Sequence, residues 1–123
     1  MTDDQYAGVI AKLIRAARLQ MSTERVMQDS IEAALALAKV PFAREKPLGP
    51  RDRPDFLLAD GRVVLEAKLF YPKKAIFRQL ERYAAHEAVG AMILVTGTAM
   101  GMPPAIGGKP VYVVQAGMGT LGC

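Results

Sequence analysis

The stretch RPDFLLADGRVVLEAK, residues 53–68, sets Asp55 on one side of Asp60-Gly61 and Glu66 and Lys68 on the other, each beside an apolar run. Side chains alternate faces along a strand, so over 62–69 Val64, Glu66 and Lys68 share one face, and Val63, Leu65, Ala67 and Leu69 the other. The second face is wholly apolar and is assigned to the core. Asp60-Gly61 supplies the positive φ angles of a type I′ turn. A hairpin centred there pairs Leu58 with Val63, Leu57 with Val64 and Asp55 with Glu66. Directly opposed like charges destabilise a hairpin unless something compensates them. A divalent cation is the natural compensation: Mg²⁺ takes carboxylate oxygens at about 2.0–2.1 Å and fills its other positions with water and phosphate oxygens. Lys68, one step farther along the same face, would point its ammonium at an attacking water or a phosphate.

The surrounding elements must hold this hairpin. Tyr6, Val9, Ile10, Leu13, Ile14 and Ala17 recur at helical steps over residues 3 to about 19, with Lys12, Arg15 and Arg18 largely off the stripe. A second helix is expected from Ser22, its candidate N-cap, to about Lys39, with Met27, Ile31, Ala34, Leu35 and Ala38 on one face; Pro41 ends it. A short strand is expected at 40–46, then a loop rich in Pro and Arg, then strands at 54–59 and 62–69. A helix from Lys73 to Ala88 and strands at 91–97 and 110–115 follow. TAMGMPPAIGGK, residues 98–109, reads as a long flexible loop, and GMGTLGC, residues 117–123, as a frayed tail. The order is one α/β domain with a mixed sheet flanked by helices.

Composition narrows the classes. The chain has 123 residues, enough for one domain with a real core. Its single cysteine, Cys123, gives neither a disulfide framework nor a thiolate zinc cluster. The acidic start MTDD and the lack of a long apolar run point to a cytoplasmic protein with no membrane partner. The formal charge of +4 suits a polyanion without demanding one. With His86 as the sole histidine, histidine-metal and Ser-His-Asp chemistries lack their parts, and His86 is expected at the surface. No phosphate loop of the GxxxxGK[ST] type occurs, so no nucleotide cofactor is expected. Arg44, Lys46, Arg51 and Arg53 form the best basic run for a phosphodiester backbone, and Lys73 and Lys74, just after Pro72, are reasonable phosphate contacts; solvated surface is the plain alternative for both sets.

Pro54-Asp55, ten intervening residues, then Glu66-Ala67-Lys68 resembles the signature of the PD-(D/E)XK nuclease superfamily. That family's core order of helix, three antiparallel strands, helix and strand matches residues 22–97. The resemblance implies a restriction-endonuclease-like αβββαβ core over about 22–116, with the helix at 3–19 as an addition. It implies Asp55, Glu66 and the Ala67 carbonyl as ligands of Mg²⁺, with Mn²⁺ able to substitute, and Lys68 as the group that positions and polarises the nucleophilic water. Family members often add a glutamate from the first core helix. ERVMQDSI resembles that helix opening, which favours Glu24, with Gln28 one turn later, over Glu32; an acidic first turn is also what the helix dipole favours. Gln79 and Tyr83 resemble the family's glutamine-to-tyrosine helix motif, in which the Gln sits beside the site, although Tyr83 can equally pack with Ile76, Leu80 and Ala84.

The implied function is metal-dependent hydrolysis of DNA, first of all in the manner of a small junction resolvase. A nuclease subunit of a larger recombination or restriction assembly, or a non-catalytic nucleic-acid-binding module of the same fold, are the alternatives. A homodimer is expected, because the helix at 3–19 must bury its stripe somewhere and two copies would present two sites. The alternative is that this helix packs on its own domain.

Overall fold

The structure, a computed structural model, describes residues 1–116; the tail reading for 117–123 lies outside the described residues. Helix α1 spans Asp3–Ala16 and α2 spans Glu24–Leu37. Strands β1 (Phe42–Arg44), β2 (Phe56–Leu58) and β3 (Val63–Lys68) lead into α3 (Lys73–Ala84), β4 (Ala91–Thr96), β5 (Ala105–Ile106) and β6 (Lys109–Gln115). The strands form one sheet in the order β1-β2-β3-β4-β6-β5. The β1–β2 and β2–β3 pairs are antiparallel, whereas β3–β4 and β4–β6 are parallel. The mixed α/β architecture is therefore as expected.

Local chemistry starts each helix. Thr2 caps α1 in a reciprocal box with Gln5, and Asp3 and Asp4 occupy the first turn, where the dipole favours carboxylates. For α2 the cap is Thr23, not Ser22: its hydroxyl accepts from the Val26 amide at 3.1 Å. The helix begins one residue later than a Ser22 cap requires, which puts Glu24 at its first position. Helix α1 stops at Ala16, short of 19, and α3 at Ala84, short of 88.

Both faces of the sheet are covered. Ile10 and Ile14 of α1 and Met27, Ile31 and Leu35 of α2 pack on Phe56, Leu58, Val63, Leu65, Ile93 and Val95. On the other face Ile76, Leu80 and Tyr83 of α3 cover Leu57, Val64, Met92 and Leu94. The apolar stripe of α1 is thus buried within its own chain, so the argument that a second copy must cover it falls away; only Val9, among its large apolar residues, is strongly exposed.

The hairpin matches the sequence register, with Leu57 opposite Val64 and Leu58 opposite Val63. Asp60 and Gly61 have φ of 56° and 89°, and the Arg62 amide closes the turn on the Ala59 carbonyl at 3.2 Å. Ala59 also takes a positive φ, 52°, an uncommon conformation for a side chain with a Cβ. Residues 98–109 are not one long loop. Gly107 and Gly108, at φ 59° and 79°, turn β5 back onto β6, pairing Ile106 with Lys109.

Candidate functional site

The site lies where β2 and β3 part. Their ladder ends at Phe56 opposite Leu65. Two pairs farther, past Asp55 and Glu66, the same register would set Ala67 opposite Pro54, which has no N–H to offer. The ladder cannot continue, and side chains take over. Asp55 Oδ2 accepts from the Ala67 amide at 2.7 Å, while Glu66 Oε1 accepts from the Asp55 amide at 2.8 Å. The two carboxylates thus brace each other's backbone across the opening.

Glu24 adds a third carboxylate at the same edge. Its Oε1 accepts from the Leu69 amide at 3.2 Å, and its Oε2 receives a long 3.4 Å contact from the Tyr71 hydroxyl. The N–H and C=O of an extended residue point to the same edge of its strand. The Ala67 carbonyl is therefore directed to the edge where its own amide meets Asp55 and the Leu69 amide meets Glu24, and Pro54 leaves it without a ladder donor. The rival helix residue is committed elsewhere: Glu32 Oε1 lies 3.0 Å from Arg44 Nη1.

Glu66 is only 2% exposed. Besides the Asp55 amide, its Oε1 accepts from the Tyr83 hydroxyl at 3.0 Å, and its Oε2 lies 3.6 Å from Lys68 Nζ. Burial, and next the charge of Asp55, push the Glu66 carboxyl up to about 7, despite the opposing pull of the Asp55 amide, Lys68 and Tyr83. Asp55 is also raised, chiefly by burial, with the Ala67 amide and Lys68 opposing and Glu24 and Glu45 adding to the rise. Tyr83 is raised by burial and by the neighbouring Glu66 charge, so its hydroxyl stays protonated as a donor. Lys68 stands with its ammonium 4.4 Å from the centre of the Tyr71 ring.

Asp55, Glu66, Lys68 and Glu24 therefore converge, and the Ala67 carbonyl joins them. The α3 pair divides differently from the sequence expectation. Tyr83 is both core and site residue, while half-buried Gln79, one turn earlier, makes no hydrogen bond to either carboxylate among the described residues. Tyr71 and Glu45 were missed. Tyr71 lies just beyond the strand motif, and Glu45 reaches Asp55 through the β1–β2 connection, its amide donating to the Asp55 carbonyl at 3.0 Å.

The basic residues also divide. Arg44 is no free phosphate contact: Nη1 meets Asp29 at 2.9 Å and Glu32 at 3.0 Å, Nη2 meets Gln28 at 3.0 Å, and the guanidinium lies 5.3 Å from the Phe56 ring centre. It ties β1 to α2. Lys46, Arg51, Arg53, Lys73 and Lys74 are exposed. Between the two loop arginines, Asp52 turns inward to His86 at 2.8 Å and Arg82 at 3.2 Å. His86 is thus a partly buried tether rather than a bare surface residue. Its hydrogen bond is the main cause holding the Asp52 carboxyl below its ordinary range.

The oxygen-only donor set suits a hard cation. Among the described residues no three His, Cys, Asp or Glu side chains form a ready-made metal cluster. Mg²⁺ does not need one, since it is commonly held by one or two carboxylates with waters and substrate phosphates filling the rest. No protein-family model, no curated protein and no solved structure matches the chain. Among the described residues no helix is long and apolar enough to cross a membrane.

Proposed function

We propose that the chain is a metal-dependent nuclease of the PD-(D/E)XK kind, with a restriction-endonuclease-like core, hydrolysing phosphodiester bonds in DNA. The observation that carries this reading is the parting of β2 and β3: Pro54 ends the ladder beside Ala67, and Asp55 and Glu66 close the gap with Lys68 behind them. Asp55, Glu66 and the Ala67 carbonyl, with Glu24 at the same edge, are the groups that would hold Mg²⁺ or Mn²⁺. Such an ion supplies a more acidic bound water and neutralises charge growing on the phosphate.

The protein's own groups have separable parts. Lys68 offers a positive charge to a hydroxide or a phosphoryl oxygen; Glu66 and the Tyr71 ring fix its direction. Glu66 is raised to about 7 by burial and the Asp55 charge in the metal-free chain, and a bound cation would favour its ionised, ligating form. Tyr83 orients the Glu66 carboxylate and is a positioning residue. Lys46, Arg51, Arg53, Lys73 and Lys74 are the exposed cations available to the polynucleotide backbone.

The test is a cleavage panel of labelled junction, flap, duplex and single-stranded substrates with Mg²⁺ or Mn²⁺. Asp55→Ala, Glu66→Ala and Lys68→Ala should each abolish cleavage while leaving substrate affinity largely intact. Near wild-type turnover in any of the three overturns the site. Binding without turnover in the wild type would leave a non-catalytic module, or a subunit that works only within a larger assembly.

A further inference from the structure

Phe70 is 77% exposed and Tyr71 43% exposed, immediately after the strand that carries Glu66 and Lys68. Tyr71 is held in place from inside the site, its hydroxyl against Glu24 Oε2 at 3.4 Å and the Lys68 ammonium over its ring. Lys73 and Lys74 follow in the first turn of α3, which contains no acidic residue. The helix dipole disfavours cations there, so their placement is no aid to the helix. The corner thus combines one outstanding aromatic face, a second aromatic ring fixed to the site, and two exposed ammonium groups. Among the described residues the other strongly exposed large apolar side chains, Met1, Val9 and Leu37, belong to α1, α2 and the chain start, so within them the corner is not part of a broad apolar patch.

We propose that Phe70, with Tyr71 beside it, stacks an unpaired base at the rim of the catalytic site, while Lys73 and Lys74 take the neighbouring phosphates. This rests on the nuclease reading of the same site and narrows its substrate to nucleic acid with an unpaired nucleotide next to the attacked phosphate. Every base has a π-face, so aromatic stacking accepts any sequence but requires a base free of its duplex stack. The cations complement a polyanion, whereas self-association through two aromatic side chains falls far short of the roughly 800 Å² per partner of a stable interface.

The experiment measures fluorescence anisotropy in EDTA, where no cleavage interferes, for a short single-stranded oligodeoxynucleotide and a duplex of the same length. An internal 2-aminopurine reports stacking by its quenching. Phe70→Ala should weaken single-strand binding about tenfold and abolish the quenching, with duplex binding within about twofold of wild type. Phe70→Tyr should restore both. Lys73→Ala and Lys74→Ala should weaken the two substrates alike. Phe70 is exposed, so melting curves of its variants should overlay the wild type.

Unchanged single-strand affinity in Phe70→Ala, or an equal loss for both substrates, overturns the inference. So does a change in sedimentation with oligonucleotide binding unaltered, which would make the corner a contact between copies. If the wild type cleaves yet Phe70→Ala binds normally, this inference alone fails. If the wild type neither binds nor cleaves any substrate, the nuclease reading falls with it.

Discussion

Glu66 is a carboxyl group with almost no water around it and a second carboxylate across the strand, and its pH behaviour follows. Its folded value near 7 lies above the ordinary 4.5. Between those values the folded chain holds a proton that the unfolded chain has lost, so folding is progressively disfavoured as pH rises through that window. In EDTA the contribution is fully present below about pH 4.5 and lost above about pH 7, and amounts to at most about 3 kcal/mol. Glu66→Gln should flatten the melting temperature over this range. Tyr83→Phe removes a hydrogen bond that favours the ionised form, so it should move the window upward and cost about 1–2 kcal/mol near pH 8. A melting series that rises between pH 5 and 8 in wild type, with no response to Glu66→Gln, would show that the carboxyl is not raised.

Asp55 and Glu66 were legible as neighbours from strand alternation and one turn dipeptide alone. The same register also implied that Ala67 faces Pro54, from which the orphaned carbonyl follows. By contrast, Arg44 could not be placed from sequence. An arginine in a basic run looks like a phosphate contact until the fold brings Gln28, Asp29 and Glu32, one face of α2, against it.

Among the elements, those with a strong period or a strong turn were recoverable. The hairpin has Asp60-Gly61 between apolar runs, and β4 is apolar up to Thr96 and β3 up to Glu66, the pattern of central strands buried on both faces. Strand β5 was hidden because two residues carry no period, and Pro, Gly and Met around them resemble any loop; pairing with β6 defines it. The start of α2 was displaced by one residue because Ser22 and Thr23 are both good caps and only backbone geometry chooses. That choice matters for the site, since it sets where Glu24 begins. Thr23→Ala should cost about 1 kcal/mol in a denaturant melt. Because the cap also anchors the turn bearing Glu24, it should lower turnover more than single-strand affinity.

Arg44→Ala makes a contrasting element-level prediction. Its partners Asp29 and Glu32 are about half exposed, so the ion pairs themselves are worth little. The lost packing on Phe56 and the loosened β1–α2 contact should still destabilise by about 1 kcal/mol. Oligonucleotide affinity should stay unchanged in Arg44→Ala but fall in Arg51→Ala and Arg53→Ala. Loss of binding in Arg44→Ala without loss of stability would return the residue to the phosphate surface.

For the whole molecule, the proposed metal site predicts a stability that depends on whether a cation is bound. Two helices on one face and one on the other close the core without help from a second copy, which leaves the opposed carboxylates as the conspicuous local cost of the metal-free fold. Asp55→Asn removes one charge but keeps a side-chain oxygen able to accept from the Ala67 amide. In EDTA this variant should therefore match the wild type or exceed it by up to about 1 kcal/mol. Asp55→Ala differs, because it strands the amide as well, and should be less stable than Asp55→Asn. A cation that binds only the folded chain reverses the ranking, adding about 2.7 kcal/mol to the wild type at a hundredfold excess over Kd. Asp55→Asn should lose most of that gain. Melting curves of the three proteins in EDTA and in excess Mg²⁺ or Mn²⁺ read all of these terms together. A wild type without any metal-dependent shift, alongside an Asp55→Asn variant clearly weaker in EDTA, would mean that the carboxylates serve the hairpin alone. The parted strands would then be a structural junction held by two side-chain caps, with no cation to seat.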